Sequence, residues 1–135
     1  MSASLQAWLE SFLSEHGGVA GTVHVRPQGG DLELAAAHNI PPNVQEIVRH
    51  IPRGKGMAGL AWERNEAVST CNIKDDSSGQ VRPGAKAVNA GAGGALPVHD
   101  ATGGVRAVVG IAYRDEKELT AAELAALSAA ATTLP

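Results

Sequence analysis

The stretch IPRGKGMAGLAWERNEAVSTC, residues 51–71, decides which fold the sequence predicts. Near its start Pro52 stops a preceding helical pattern, and glycines at 54, 56 and 59 lead into a second helical pattern. A polar turn follows, and then residues 67–71, a short run with strand-forming residues that ends at the only cysteine. The segment is therefore predicted to run from a helix start through a tight turn into a strand.

The rest of the chain supplies further strands and helices on either side of this segment. The predicted elements, in chain order, are a helix that ends at Gly17, strands at 19–26 and 32–38, helices at 42–50 and from Gly56, strands at 67–71, 95–99 and 105–113, and a closing helix that begins at a capping box of Thr120 and Glu123. In the first strand Thr22 and His24 fall on the polar side, opposite the valines. Strands joined by tight turns pair antiparallel, so the order predicts an α+β fold.

Composition limits the kinds of partner that the chain can have. With 135 residues, it is predicted to form a single domain over residues 1–135. The net charge is -3, no basic run is present and only 3% of the residues are aromatic, so we expect no binding to nucleic acid or to a membrane. One cysteine forms no internal disulfide, and the sequence shows neither a signal peptide nor a long apolar span, which predicts a cytoplasmic protein.

The glycines of the opening stretch match a dinucleotide-binding fingerprint in spacing but not in context. Gly54, Gly56 and Gly59 spell G-x-G-x-x-G, and Asp75 lies about 20 residues further on, as in a Rossmann unit. That fingerprint must follow a parallel strand, however, and here it follows a helical pattern and a proline. A structural role in a sharp turn into a closely packed helix is the stronger interpretation. The alternative is an anion site, because a helix N-terminus flanked by Arg53 and Lys55 suits a carboxylate or phosphate.

No residue pattern indicates catalysis, a metal or a cofactor. Cys71 ends an apolar strand, where a cysteine is more often a small buried side chain than a reactive thiol. The five histidines have no metal-ligand spacing, and solvated or capping roles are expected for them. Ser69 and Ser77 lack a G-x-S-x-G motif. The sequence therefore predicts that the chain is not an enzyme and that it needs no cofactor.

The chain resembles the GAF domain family over nearly its whole length, and four short segments carry the resemblance. They are R-G-K-G-M-A-G-L-A at 53–61, A-V-S-T-C-N-I-K-D at 67–75, A-L-P-V at 95–98 and A-V-V-G-I-A at 107–112. The resemblance implies a PAS-related central antiparallel sheet of five or six strands with helices on both faces. It also implies a small-molecule pocket on the face covered by the middle helices and the long loop, and in many members a homodimer formed through the terminal helices.

Departures from known GAF subgroups narrow the expected activity. In GAF-type free methionine sulfoxide reductases the catalytic cysteines are expected around the long loop. Here the loop contains no cysteine, and Cys71 alone precedes it. This disfavours a redox-active thiol protein of that class. Bilin-binding members place their cysteine beside a histidine, but here Asn72 follows the cysteine. The N-K-x-F-D-E signature of cyclic-nucleotide binders is absent from the sequence.

These observations predict a stand-alone sensory or regulatory GAF-like domain that binds a small polar metabolite, with an anionic one as the variant that the helix start at Arg53 and Lys55 favours. The pocket is predicted to lie between the sheet and the loop at 75–94, which would become ordered on binding. The predicted ligand-binding residues, chosen for position and chemistry, are His38, Arg53, Lys55, Met57, Trp62, Thr70, Cys71, Arg82 and Lys86. A ligand-free module that homodimerises through its terminal helices is the alternative function.

Overall fold

The computed structural model describes residues 3–27, 29–70, 91–115 and 118–135. Its elements, in chain order, are α1 (Ala3–His16), β1 (Ala20–Val25), β2 (Leu32–His38), α2 (Pro42–Ile47), β3 (His50–Ile51), α3 (Gly56–Arg64), β4 (Val68–Thr70), β5 (Ala92–His99), β6 (Val105–Tyr113) and α4 (Ala121–Ala131). None of the helices in these ranges is long and apolar enough to span a bilayer.

The strands form one six-stranded sheet in the described part of the chain. Its order is β3-β2-β1-β6-β5-β4, and every neighbouring pair is antiparallel. The first and last long strands, β1 and β6, therefore meet at the centre. This arrangement confirms the predicted α+β class and the sheet of five or six strands.

Helices cover both faces of the sheet, as predicted. On one face α1 and α4 pack on a core that includes Leu9, Val109 and Leu127. On the other face α3 packs on a second cluster that includes Ala61 and Val108. Side chains alternate between faces along a strand, so consecutive residues of β6 contribute to opposite cores. Both faces of the sheet are consequently covered by helices, so the polar side of β1 does not face solvent.

The helix predicted at residues 42–50 is shorter than its pattern indicated. It ends at Ile47, and His50 and Ile51 form the edge strand β3, which pairs with Glu33 and Leu32. Ile51 sits at helical spacing from Val44, and both side chains are buried, but the chain reaches the second position through a strand. Hydrogen bonds to β2 thus override the helical periodicity at the end of the segment.

The strand predicted to begin at Ala95 begins three residues earlier. The lost periodicity and the many glycines predict a long loop through Gly94, yet Gly93 and Gly94 pair with Ala112 and Ile111 of β6 and with residues of β4. Two ladders hold these glycines in the sheet despite their low propensity. The remainder of the predicted loop, up to residue 90, lies outside the described residues.

The closing helix has the start that its sequence predicts. The Thr120 hydroxyl accepts a hydrogen bond from the Glu123 backbone N–H, and the Glu123 side chain accepts one from the Thr120 backbone N–H. This reciprocal capping box satisfies two backbone donors that no helical carbonyl reaches. It places Leu127 and Ala131 in the core beside α1.

Candidate ligand-binding site

A cavity of about 140 Å³ lies between the central strands and the two middle helices, α2 and α3. Its floor comes from β1, β5 and β6, and its roof from α2, the segment after it and the first turn of α3. An engineered apolar cavity of about 150 Å³ in another protein binds benzene, so this space suits a small organic molecule.

Small residues on adjacent strands create the floor of the cavity. Gly110 of β6 pairs with Thr22 of β1 on one side and with Ala95 of β5 on the other. In the next row on the same face, Ala112 pairs with Gly93. Rows of side chains this short leave room above the sheet that Val or Leu at the same positions would occupy.

Close packing explains one of these small residues directly. A Cβ atom at Gly110 would lie 2.9 Å from the Thr22 hydroxyl oxygen, a distance that would force the neighbour to move. Glycine inside a strand usually marks a bend or a close approach, and here it marks the approach of Thr22 and the open space above.

The roof is apolar except at the start of α3. Ile40, Val44, Val48 and Ile51 present branched side chains, and Gly56, Met57 and Ala58 line the cavity from the first turn of the helix. The earliest intrahelical hydrogen bond of α3 runs from the Gly59 N–H to the Lys55 carbonyl oxygen, at 3.1 Å. The N–H groups of the three lining residues precede that bond, so the helix start contributes partial positive charge to the cavity wall.

His24 is the one titratable side chain among the described residues that line the cavity. It projects from β1, is 2% exposed, and its Nε2 donates a hydrogen bond to the Val48 carbonyl oxygen at 2.8 Å. Burial lowers the pKa of His24 from 6.5 to about 4, although the bond to Val48 opposes the shift. The ring is therefore neutral at pH 7, with its proton on Nε2.

This position corrects the sequence interpretation of His24 as a solvated or capping histidine on the polar side of a half-buried strand. The polar side of β1 faces α2 and α3 instead of water, because the second face of the sheet is also covered. Sequence reasoning missed both His24 and Thr22 as cavity residues. The signal that could have located them is the glycines within the strand-forming runs at 92–99 and 105–113.

A family model for the GAF domain matches residues 3–134. The chain belongs to the GAF domain family. This confirms the resemblance carried by the four segments, and the GAF fold is a sensory and regulatory fold. No curated protein is similar enough in sequence to count as a match.

Solved structures with the same fold include both regulatory domains and enzymes. A type II free methionine-R-sulfoxide reductase from Thermoplasma acidophilum has a TM-score of 0.78 and 18% identity, over 98% of this chain and 87% of that chain. A free methionine-R-sulfoxide reductase from Neisseria meningitidis, solved with its substrate, has a TM-score of 0.77 and 15% identity, over 96% and 72%. The GAF domain of an Acinetobacter phosphoenolpyruvate-protein phosphotransferase has a TM-score of 0.71 and 18% identity, over 96% and 78%.

The comparisons overturn the prediction that this GAF domain is not an enzyme. Two of these three structures are enzymes, and each shares its fold with nearly the whole of this chain. At identities of 18% and 15%, these similarities show that the fold is shared and nothing more. The lack of a familiar catalytic motif was therefore an insufficient reason to exclude enzyme activity.

The structure brings one of the nine predicted ligand-binding residues into the lining of the cavity. Met57 lines it from α3, while Arg53 and Lys55 are exposed just before that helix. His38 is exposed at the end of β2 and is not among the lining residues, and Thr70 is half-buried at the end of β4. Cys71, Arg82 and Lys86 lie outside the described residues. The binding roles of all nine stay predictions.

Trp62 has a different set of neighbours from those expected of a pocket wall. Its half-buried ring packs against the cluster around Val108, and the Arg26 and Arg53 guanidinium carbons lie 5.0 Å and 6.0 Å from the ring centroid. Cation–π attraction of this kind holds two exposed arginines beside the Trp62 ring. No group of three or more potential metal ligands occurs within the described ranges.

Proposed function

We propose that this GAF domain is a sensory module that binds a small, largely apolar molecule with one polar or anionic end. The cavity between the sheet and the middle helices carries the proposal. Its floor of glycine, alanine and threonine makes room for a ligand, and its roof of branched side chains and Met57 supplies apolar contact. The proposed ligand is therefore less polar than the sequence alone indicated.

The start of α3 is the proposed position for the polar end of the ligand. Gly56, Met57 and Ala58, which form the first turn of α3, line the cavity, and Arg53 and Lys55 add positive charge before the helix. A carboxylate placed there would interact favourably with both. Ordering of the loop at 75–94 on ligand binding stays a proposal, and residues 75–90 of that loop lie outside the described residues.

The test is to fill the cavity with a larger side chain from its own floor. Ala112→Leu adds three heavy atoms on the face that lines the cavity, where space is available, so we expect the free energy of unfolding to change by less than about 1 kcal/mol. We expect native mass spectrometry of freshly purified wild-type protein to show a retained small molecule that this variant lacks. The matched control is Ala125→Leu, on the exposed side of α4.

Two results would contradict this proposal. One is an equal amount of retained ligand in the Ala112→Leu variant. The other is a wild-type protein that carries no adduct and binds no member of a set of small aromatic and aliphatic acids, as followed by the backbone amide resonances of the cavity residues.

A thiol-dependent sulfoxide reductase is the second candidate function, favoured by the two reductases of the same fold. In such a reaction the Cys71 thiolate would attack the sulfoxide sulfur and take its oxygen, which releases the sulfide and leaves a sulfenic acid. With no second cysteine in the chain, two external thiols would have to reduce the sulfenic acid and form a disulfide and water.

This candidate is tested with free methionine-R-sulfoxide and dithiothreitol. If it is correct, the wild-type protein consumes the sulfoxide catalytically and Cys71→Ser does not. Equal consumption by both proteins, or none by either, rules it out. The Ala112→Leu variant serves as a second comparison, because a reductase that used the cavity would lose activity in it with Cys71 intact.

A further inference from the structure

The imidazole of His24 has one nitrogen whose hydrogen-bonding capacity is unused. Because a carbonyl oxygen only accepts, the contact from Nε2 to Val48 fixes the proton on Nε2 and leaves Nδ1 as an acceptor. Nδ1 is out of contact with solvent and has no hydrogen-bond partner. It is the single buried side-chain nitrogen or oxygen in this state in the described part of the chain.

An unsatisfied acceptor at this depth is unfavourable, and proteins usually pair such atoms. The described neighbours in the cavity offer no obvious donor, since most of them are glycine, alanine or branched apolar residues. The Thr22 hydroxyl is a possible exception by chemistry, but no hydrogen bond joins it to His24 in the structure. Because His24 lines the cavity, a molecule bound there is in a position to supply the missing partner.

We infer that the ligand of this cavity carries an N–H or O–H group that donates a hydrogen bond to Nδ1 of His24. The inference rests on the proposed function and narrows its ligand class to small, largely apolar molecules that carry a hydrogen-bond donor. The Cβ–Cγ torsion of histidine has a broad energy minimum, so the ring can turn slightly toward a ligand at little cost.

His24 then acts as a specificity-determining residue by rejecting molecules of the same shape that lack the donor. A molecule with an oxygen acceptor at that point would place two acceptors face to face and leave Nδ1 unpaired. Sites built around a polar group discriminate strongly against ligands that leave that group unpaired, whereas apolar contacts discriminate weakly.

The experiment uses indole and benzofuran as probes of the full chain. The two bicyclic molecules have nearly the same shape, but indole has an N–H where benzofuran has a ring oxygen. Titrations followed by backbone amide resonances are expected to give dissociation constants roughly tenfold lower for indole, as one buried hydrogen bond would produce. Selective ¹⁵N labelling of histidine is expected to show the Nδ1 resonance of His24 moving with indole and staying in place with benzofuran.

A pair of variants separates the two nitrogens of His24. His24→Gln places an amide N–H near the Nε2 position, where it can donate to Val48, and removes the acceptor at Nδ1. His24→Asn keeps an acceptor near the Nδ1 position and loses the reach to Val48. We expect the preference for indole to disappear in the Gln variant and to persist in the Asn variant.

Each outcome bears on a different conclusion. If both probes bind the wild-type cavity equally, or indole binds tighter without moving the Nδ1 resonance, the inference about His24 is wrong and the proposed function stands. If neither probe moves any cavity resonance at its solubility limit, the cavity is closed to small molecules of this size. The proposed function then fails together with the inference. The histidine resonance is measured on wild-type protein, so the test does not depend on a variant that folds.

Discussion

At the scale of single residues, His24 shows how a covered sheet changes the meaning of a polar side chain. Alternation along β1 correctly separated Thr22 and His24 from the valines, but it could not say what lay over the polar side. Burial of both faces depends on α2 and α3, which come later in the chain. The cavity residues on β1 could therefore not be predicted from their own strand.

Burial of a neutral histidine makes stability depend on pH. The unfolded chain binds a proton at position 24 near pH 6.5, whereas the folded protein does so only near pH 4. Between these values the unfolded state holds the extra proton, so stability falls as the pH falls. The linkage is worth about 1.4 kcal/mol per pH unit, which predicts a loss of about 2 kcal/mol between pH 7 and pH 5 from this residue.

The measurement is urea unfolding of the wild-type protein and of His24→Gln at both pH values. The other four histidines and all the carboxylates are common to both proteins, so their contributions cancel in the comparison. We expect the wild-type protein to lose about 2 kcal/mol more than the variant on acidification. Parallel losses in the two proteins would show that His24 is protonated normally in the folded state.

At the scale of elements, the start of α3 is set by steric limits as much as by helix propensity. A Cβ atom on Gly59 would lie 2.5 Å from the Pro52 carbonyl oxygen, and Gly54 adopts a φ of 83° in the turn between them. The glycine spacing of residues 54–59 is thus explained by a tight turn that packs against its own helix. This supports the structural interpretation over the dinucleotide fingerprint.

Gly59→Ala is expected to destabilise the protein, although the same change in most helices stabilises it. Alanine is favoured over glycine in a helix by about 1 kcal/mol, but here the new methyl group meets backbone atoms that cannot turn aside. We predict a net loss of roughly 1–3 kcal/mol in the free energy of unfolding, measured by urea denaturation.

Gly94→Ala is the matched control for this substitution. A Cβ atom at Gly94 would meet its nearest neighbour, the Leu119 Cδ1 atom, at an ordinary 3.4 Å. The control should therefore be neutral or mildly stabilising. If both variants lose the same stability, the contact with the Pro52 carbonyl oxygen does not account for the effect.

Element prediction from the sequence succeeded where the local pattern and the tertiary contacts agree. The bounds of β2 and β6, and the capping box of α4, match the sequence prediction because alternation and capping are local signals. Element prediction failed where hydrogen-bonded pairing with a distant strand decides the structure. The two-residue strand β3 and the glycines at the start of β5 are held by strands distant in sequence, and no local pattern encodes that support.

At the scale of the whole molecule, the fold class followed from the order of elements, and the family followed from four short segments. The resemblance implied a pocket on the face covered by the middle helices, and the cavity lies on that face. The residues of its floor did not follow from the sequence, because they come from three strands that meet only in the folded sheet. The predicted dimer through the terminal helices stays a proposal. Ile47 of α2 is the one large hydrophobic side chain exposed among the described residues, so such a dimer would need contacts built from small and polar groups on α1 and α4.

The alternation of β6 has a consequence for how the domain could report on its contents. Gly110 and Ala112 face the cavity, while Val109, Ile111 and Tyr113 on the same strand belong to the core beneath α1 and α4. The Trp8 indole N–H of α1 donates a 2.8 Å hydrogen bond to the hydroxyl of Thr133, just beyond the end of α4. Movement of β6 on ligand binding would therefore reach the packing of both terminal helices through the strand itself, without an intervening loop.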